Sequence, residues 1–390
     1  MALSTSKPTQ RAGSFLSFDS SPARRPNGDR SVILKTGFQS LFHAQAVSLP
    51  GPPEPVPARA VRFTLTVTTP VVAALVFGIK SGLVYALVSA IVGFAADTGG
   101  RPASRLASMA IGAAALALGA FGGTLAAGHH GAIVALFAAA GAFYALTESL
   151  DALALTASRF VCFGIAVGAL YLPLTNTGAF ALVASCLGAW AISCLWDSAR
   201  GQWRSDHAPN WRALWRSFHE RRSTHWPFAL AVALAIPLAY LSSVAVGIVR
   251  PYWAMLTLVL VLRLDFLSSR QLMLERLAGT LVGVVLAGAY TAAFPTHEML
   301  MIGIVVAALA RWPAEQRHGA LGVAALTTFV MLVLALASTE PGEVSAFLKA
   351  RVIDTIVGCL FAVVALYLNS GFCWIKRRWD TRRMQHNTAP

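Results

Sequence analysis

From residue 61 to residue 369 the chain alternates long apolar stretches with short polar breaks. Twelve stretches can be marked: 63–79, 82–96, 106–127, 132–146, 160–174, 178–196, 227–249, 252–267, 277–294, 299–310, 319–337 and 352–368. A helix that crosses a bilayer upright needs about 20 apolar residues, and several runs fall short of that. The short ones include the second and fourth of each half, 82–96 with 252–267 and 132–146 with 299–310. The fifth is short too unless it extends back through Arg159. Short segments at corresponding positions of two halves point to a transport pathway. The pattern predicts an all-α fold, a polytopic helical membrane protein of about 12 transmembrane helices.

The connections carry a strong asymmetry. Sorted alternately to the two sides of a membrane, all but four of the 31 Lys and Arg residues fall on the side of the N-terminus. The exceptions are Lys80, Arg250, Lys349 and Arg351. Loop bias of this kind sets orientation, so both termini are expected in the cytoplasm. Composition agrees with a membrane chain: 56% apolar residues, 12% charged residues and a mean hydropathy of +0.62, where a soluble domain has about 25% charged residues. The net charge of +14 sits beside membrane segments, which favours anionic lipid headgroups as a partner and not nucleic acid. The five cysteines lie in or next to apolar runs with no CxxC, so they read as small packing residues and not as a disulfide or zinc framework.

Five regions follow. Residues 1–60 are rich in Ser, Arg and Pro, lack the apolar core of a cleavable signal, and read as a disordered cytoplasmic extension. Residues 61–197 form a first six-helix membrane repeat and 227–369 a second, separated by a basic cytoplasmic linker, 198–226, and followed by a basic tail, 370–390. The linker interleaves six arginines with Trp203, Trp211, Trp215 and Trp226. That composition suits either an ordinary positive loop with interfacial aromatics or an amphipathic helix in the headgroup layer.

The halves resemble each other. Tyr85-Ala86-Leu87 precedes Asp97 by twelve residues and Arg105-Leu106-Ala107 follows; Trp253-Ala254-Met255 precedes Asp265 by twelve and Arg276-Leu277-Ala278 follows. The Asp-to-Arg spacing is eight in one half and eleven in the other. With an even number of segments in each half, the repeats would be parallel, related by an axis along the membrane normal.

No enzyme motif is present: no P-loop, HExxH or GxSxG. The chain is expected to be no enzyme and to need no cofactor, and active transport would draw on an ion gradient. His129 and His130 are adjacent and cannot share a helix face, so no metal site is expected. The densest polar cluster is Arg263, Asp265, Arg270, Glu275 and Arg276, at the inner ends of segments eight and nine. It is either a set of charges that fix topology or a cationic vestibule that gathers anions. Gly279, Gly283 and Gly288 have the spacing of a close helix contact. Arg351 and Asp354 are three apart and share one helix face, with Asp354 expected about one turn inside the outer boundary. Glu148 and Asp151 make a similar acidic pair at the inner end of segment four.

Three stretches carry a resemblance: Arg250-Pro-Tyr-Trp-Ala-Met-Leu-Thr257, Arg276-Leu-Ala-Gly-Thr-Leu-Val-Gly283 and Arg351-Val-Ile-Asp-Thr-Ile-Val-Gly358. Together and in this order they resemble the fusaric-acid-resistance-like family, whose relatives include bacterial aromatic-acid exporters. The resemblance spans roughly 60–370, is weaker in the first half, and adds weight to Tyr252, Trp253, Thr280, Thr355 and Gly358. It implies a bacterial inner-membrane protein that exports small, often aromatic, carboxylic acids. Many relatives carry a large cytoplasmic domain after each membrane half; here the linker and tail are short.

The expectation is therefore a proton-driven secondary exporter of small organic anions. Tyr252, Trp253, Arg263, Asp265, Arg270 and Arg276 are its candidate substrate pathway and Asp354 with Arg351 its candidate proton-coupling pair. Gly279, Gly283, Gly288 and Gly358 are expected to pack helices. A periplasmic adaptor subunit is a possible partner. A passive organic-anion channel and a non-transporting membrane scaffold are the competing expectations.

Overall fold

The structure is a computed structural model that describes residues 54–78, 82–148, 150–201, 211–248, 250–338 and 343–387. The expected extension lies outside the described residues up to position 53, as do 202–210 of the linker and the last three residues of the tail.

The described residues form twelve helices and no strand. They are α1 (Val56–Val76), α2 (Leu83–Ala96), α3 (Pro102–Ala126), α4 (His130–Thr147), α5 (Ala152–Leu170), α6 (Asn176–Arg200), α7 (Trp211–Ala245), α8 (Tyr252–Val261), α9 (Phe266–Ala293), α10 (His297–Arg317), α11 (Gly319–Ala337) and α12 (Glu343–Asn387). Ten of them contain stretches long and apolar enough to cross a membrane. The other two, α2 and α8, have 14 and 10 residues. At 1.5 Å per residue α8 rises only about 15 Å, half of a hydrocarbon core about 30 Å thick.

These boundaries change the sequence picture in three places. The fourth segments are not short: α4 has 18 residues and α10 has 21, because the polar residues at their ends continue the helix. Only the second segments, α2 and α8, remain a short matched pair. Residues 211–226 of the expected linker are helical and continuous with the seventh span, within the 35 residues of α7. The 45-residue α12 begins at Glu343, nine residues before the expected 352. Asp354 therefore lies about 16 Å along this helix.

Pairs of packed helices recur with a shift of six. α3 packs on α5 as α9 packs on α11, and α2 packs on α6 as α8 packs on α12. Two further pairs cross between the halves, α4 on α7 and α10 on α1. Small residues bring the tightest pairs together. A side chain at Gly119 or Gly123 of α3 would meet the backbone oxygens of Val161 and Ile165 on α5. One at Gly279 or Gly283 of α9 would meet those of Ala320 and Ala324 on α11. Gly358 of α12 sits against Ala254 O and the Thr257 side chain of α8, whereas Gly288 meets only the end of the Leu348 side chain, at 3.2 Å.

Aromatic groups hold the crossings between the halves. Phe63, Phe94 and Trp312 form a trio from α1, α2 and α10 with ring centroids 5.1 to 6.1 Å apart. At the other crossing, the Tyr240 ring of α7 lies 6.0 Å from those of His130 and Phe137 on α4, and α4 also reaches past the end of α8, where the Tyr144 hydroxyl donates to Leu262 O at 2.6 Å.

Candidate functional site

Two buried groups of charges stand out, one in each half, and they are built on opposite terms. In the first-half group, formed by Glu54, Arg62, Asp97, Arg105 and Asp197, every charge has a partner, while Arg159 of α5 stands apart with its buried Nε and Nη2 unpartnered. Asp97 ends α2, and four residues later α3 begins, with Arg105 in its first turn. The Arg105 guanidinium grips this carboxylate with Nε to Oδ1 at 2.6 Å and Nη2 to Oδ2 at 3.1 Å. Its remaining donors reach Asp197 Oδ2 at 2.7 Å and Ser193 O at 3.1 Å on α6. Arg62 of α1 donates to Asp97 Oδ2 at 2.6 Å and to Glu54 Oε2 at 2.8 Å. Trp196 Nε1 adds a bond to Glu54 Oε1 at 3.0 Å.

The lattice thus ties α1, α2, α3 and α6 at one end of the bundle. Burial alone would raise the Asp97 carboxyl, but Arg62 and Arg105 outweigh it and hold this group below the usual carboxylate range. Glu54 belongs to the structure although it falls within the stretch expected to be an extension. The sequence comparison of the halves had flagged Asp97 and Arg105 only as a repeated spacing. Their partners Arg62, Asp197 and Glu54 carried no signal of their own.

The counterpart in the second half is taken apart. Asp265 is exposed and caps α9, accepting from Ser268 N at 2.8 Å and Ser268 Oγ at 2.7 Å. Those bonds keep its carboxyl below the ordinary value. Arg270 is exposed on α9. The Arg263 side chain reaches Tyr144 Oη and Leu262 O, both at 3.5 Å. No ion pair among the described residues joins Arg263, Asp265, Arg270, Glu275 or Arg276 to one another. Among the described residues the expected inner cluster is thus not joined by ion pairs, and Glu275 and Arg276 lie well beyond the turn, Arg276 nearly three turns into α9. Asp151 likewise acts as a helix cap, accepting from Leu153 N at 3.1 Å.

Arg276 instead belongs with residues of α8 and α12. Cys359 Sγ of α12 lies 3.9 Å from Met273 O of α9, and Gly358 touches Thr257 of α8. These contacts set the register. From the Cys359–Met273 contact Arg276 and Thr280 lie about one and two turns along α9, and Asp354 and Arg351 lie about one and a half and two turns back along α12. The Arg351 guanidinium sits 4.1 Å from the centroid of the Trp253 ring, and Arg276, Asp354 and Tyr252 lie within its electrostatic range. Next to this group, Arg250 stacks on Phe347 at 3.8 Å, and the Tyr171 and Tyr252 rings are 4.8 Å apart.

What distinguishes this group is the state of its polar atoms. Arg351 and Asp354 are 3% and 0% exposed, Thr257 and Thr280 0% and 1%. Both Asp354 carboxylate oxygens, Arg351 Nε and Nη1, Arg276 Nε and the hydroxyls of Thr257 and Thr280 have no hydrogen-bond partner. Buried polar groups are nearly always bonded, and an unpaired buried charge costs several kcal/mol. Such a group is retained where something else completes it.

The fold and this group define the class: a polytopic helical membrane protein with a buried, incompletely partnered charged cluster among helices of its second half. Within that class, residues 234–365 match the model of the family described as fusaric acid resistance protein-like. The match takes in α8, α9 and α12 up to Ala365, and so the whole cluster. The chain is also similar to the uncharacterized protein YhfK of Escherichia coli (strain K12), at 23% identity over 159 residues. That alignment covers 40% of this chain and 21% of the relative, so the chain spans about a fifth of YhfK. No solved structure matches the chain.

Proposed function

We propose that the protein is a proton-driven secondary transporter that exports small organic anions, aromatic carboxylates among them, across a bacterial inner membrane. The observation that carries this reading is the Arg351–Asp354 pair: a cation and a carboxylate buried on one face of α12 with unpartnered polar atoms, beside the Trp253 ring. Ionisable groups within membrane helices face a pathway or carry a function by default. A carboxylate that no donor holds can take up and release a proton. An arginine beside it attracts an anion, and Trp253 offers a flat face to an aromatic body. The half-length helices α2 and α8 lie at corresponding positions, as in transporters whose sites are built on interrupted segments.

Flux in proteoliposomes tests the reading. With the pure protein reconstituted and the lumen acidified, labelled benzoate is expected to accumulate in the acid lumen, opposite to the passive distribution of a weak acid, and to lose that accumulation when a protonophore is added. Downhill flux alone would make the protein a passive channel, and no flux above empty vesicles would make it a scaffold.

The charge bias of the loops supports a reading with both termini in the cytoplasm. Reporter fusions at Pro390 and within 211–225 should give a cytoplasmic signal, and fusions at His130 or Glu343 an external one. An external signal from 211–225 would overturn the six-plus-six arrangement.

A further inference from the structure

The first half shows what an arginine at the Arg276 position is shaped to hold. Asp97 and Asp265 both lie twelve residues beyond matching tripeptides, Asp97 directly after its short helix and Asp265 four residues after its own, and Arg105 and Arg276 open matching tripeptides after them. In the first half the arginine lies three residues into its helix, about 5 Å from the start, and closes on Asp97. In the second half α9 begins directly after Asp265. Arg276 is ten residues in, about 15 Å along, too far to reach that carboxylate. Three extra residues and a helix that starts four residues sooner after the aspartate carry the cation into the bundle and leave Asp265 behind as a helix cap.

We propose that the carboxylate of the transported anion takes the role on Arg276 that Asp97 takes on Arg105. The anion binds between α8, α9 and α12, shared by Arg276 and Arg351, with the Thr257 and Thr280 hydroxyls as further donors. This rests on the transport reading above and supplies its binding site. The charge count selects the ligand. Arg250 also acts on Asp354, so with Arg276 and Arg351 the group stays positive when Asp354 is ionised, which suits a small carboxylate. Trp253, against which Arg351 lies, then faces the body of the ligand, which favours an aromatic one. The donors left open are those a carboxylate needs: two guanidinium groups and two hydroxyls.

A built-in carboxylate tests the site. Thr280 is one turn beyond Arg276 on the same face, so Thr280→Glu places an acid where the ligand is expected. Benzoate binding to the pure protein in detergent is measured by calorimetry, and flux in vesicles in parallel. Thr280→Glu is expected to bind benzoate about tenfold or more weaker than the uncharged Thr280→Gln, and to melt at an equal or higher temperature because its internal pair replaces the ligand. Arg276→Gln is expected to lose binding while remaining folded, which keeps the test decisive if Thr280→Glu does not fold. Wild type that transports benzoate, together with undiminished binding in Thr280→Glu or Arg276→Gln, overturns this site and leaves the transport reading standing. Wild type that neither binds nor moves any aromatic monocarboxylate overturns both.

Discussion

Asp97→Ala should leave little folded protein at neutral pH. The substitution strips the shared carboxylate from Arg62 and Arg105, two guanidiniums with 8% and 2% of their side-chain surface exposed. Arg62 keeps Glu54 and Arg105 keeps Asp197, but both lose the carboxylate they share, and removing one member of a buried charge group costs about 3–5 kcal/mol, a large part of the stability of most domains. Asp265→Ala is the matched comparison. It removes an exposed cap, worth about 1 kcal/mol. The fraction extracted as a monodisperse species and the melting midpoint of each variant measure the difference. Equal behaviour of the two variants would mean that the lattice does not hold the four helices. The same lattice fixes the response to acid. Because the arginines hold Asp97 below its ordinary value near 4, its contribution to stability is complete above that value. The contribution fades as pH falls below about 4 and through the lowered folded-state value. The midpoint of wild type should therefore fall on acidification below pH 4, and this part of the fall should be missing in Asp97→Ala.

Asp354→Asn should abolish uphill export and spare downhill movement. An amide cannot exchange a proton with the gradient, yet it keeps the size of the carboxyl and leaves Arg276 and Arg351 to attract the anion. Accumulation driven by an imposed pH gradient should fall to the level of empty vesicles, while exchange of labelled for unlabelled benzoate continues. A purely structural role predicts another pattern. Each of Asp354→Asn and Arg351→Gln would then destabilise the protein by leaving one charge alone, and the double variant would recover folding and export together. Uphill export by Asp354→Asn, normalised to folded protein, would remove the coupling role.

The twelve helices were legible because a membrane helix is written in one variable, the length of an apolar run. The errors fell where that variable fails. Residues 338–351 include Ser338, Glu343, Ser345, Lys349 and Arg351, so hydropathy starts the last segment at 352. The backbone is already helical from Glu343, with Phe347 and Arg351 buried on one side. Helix α8 was read six residues too long because Leu262 and Leu264 are as apolar as the helix itself. The turn is set by Asp265, whose side chain caps α9 from the first residue.

The site was legible in part, and for a clear reason. Arg351, Asp354, Trp253 and Arg276 stand out because charge or an aromatic ring at a set spacing in an apolar run is visible in one dimension. That Arg276 would leave Arg263 and Asp265 and join α12 depends on how deep ten residues of α9 carry it, which needs the register between helices. The first lattice shows the same limit. Glu54, Arg62, Asp97, Arg105 and Asp197 are spread over more than 140 positions, and each taken alone resembles a charge at a membrane edge.

The brevity of α8 has an electrical consequence. A transmembrane voltage drops mainly across apolar material, and α8 with the turn after it supplies only about 15 Å of helix where its neighbours supply 30. Along this line the field is therefore steepest over the few residues from Trp253 to Arg263. A charge carried past them senses most of the potential, about 2.3 kcal/mol for each 100 mV. An anion that leaves alone moves one charge through this field, whereas an anion that leaves in exchange for an entering proton moves two and is driven the more strongly. Comparing flux at zero and imposed potential would thus count the charges moved in each cycle.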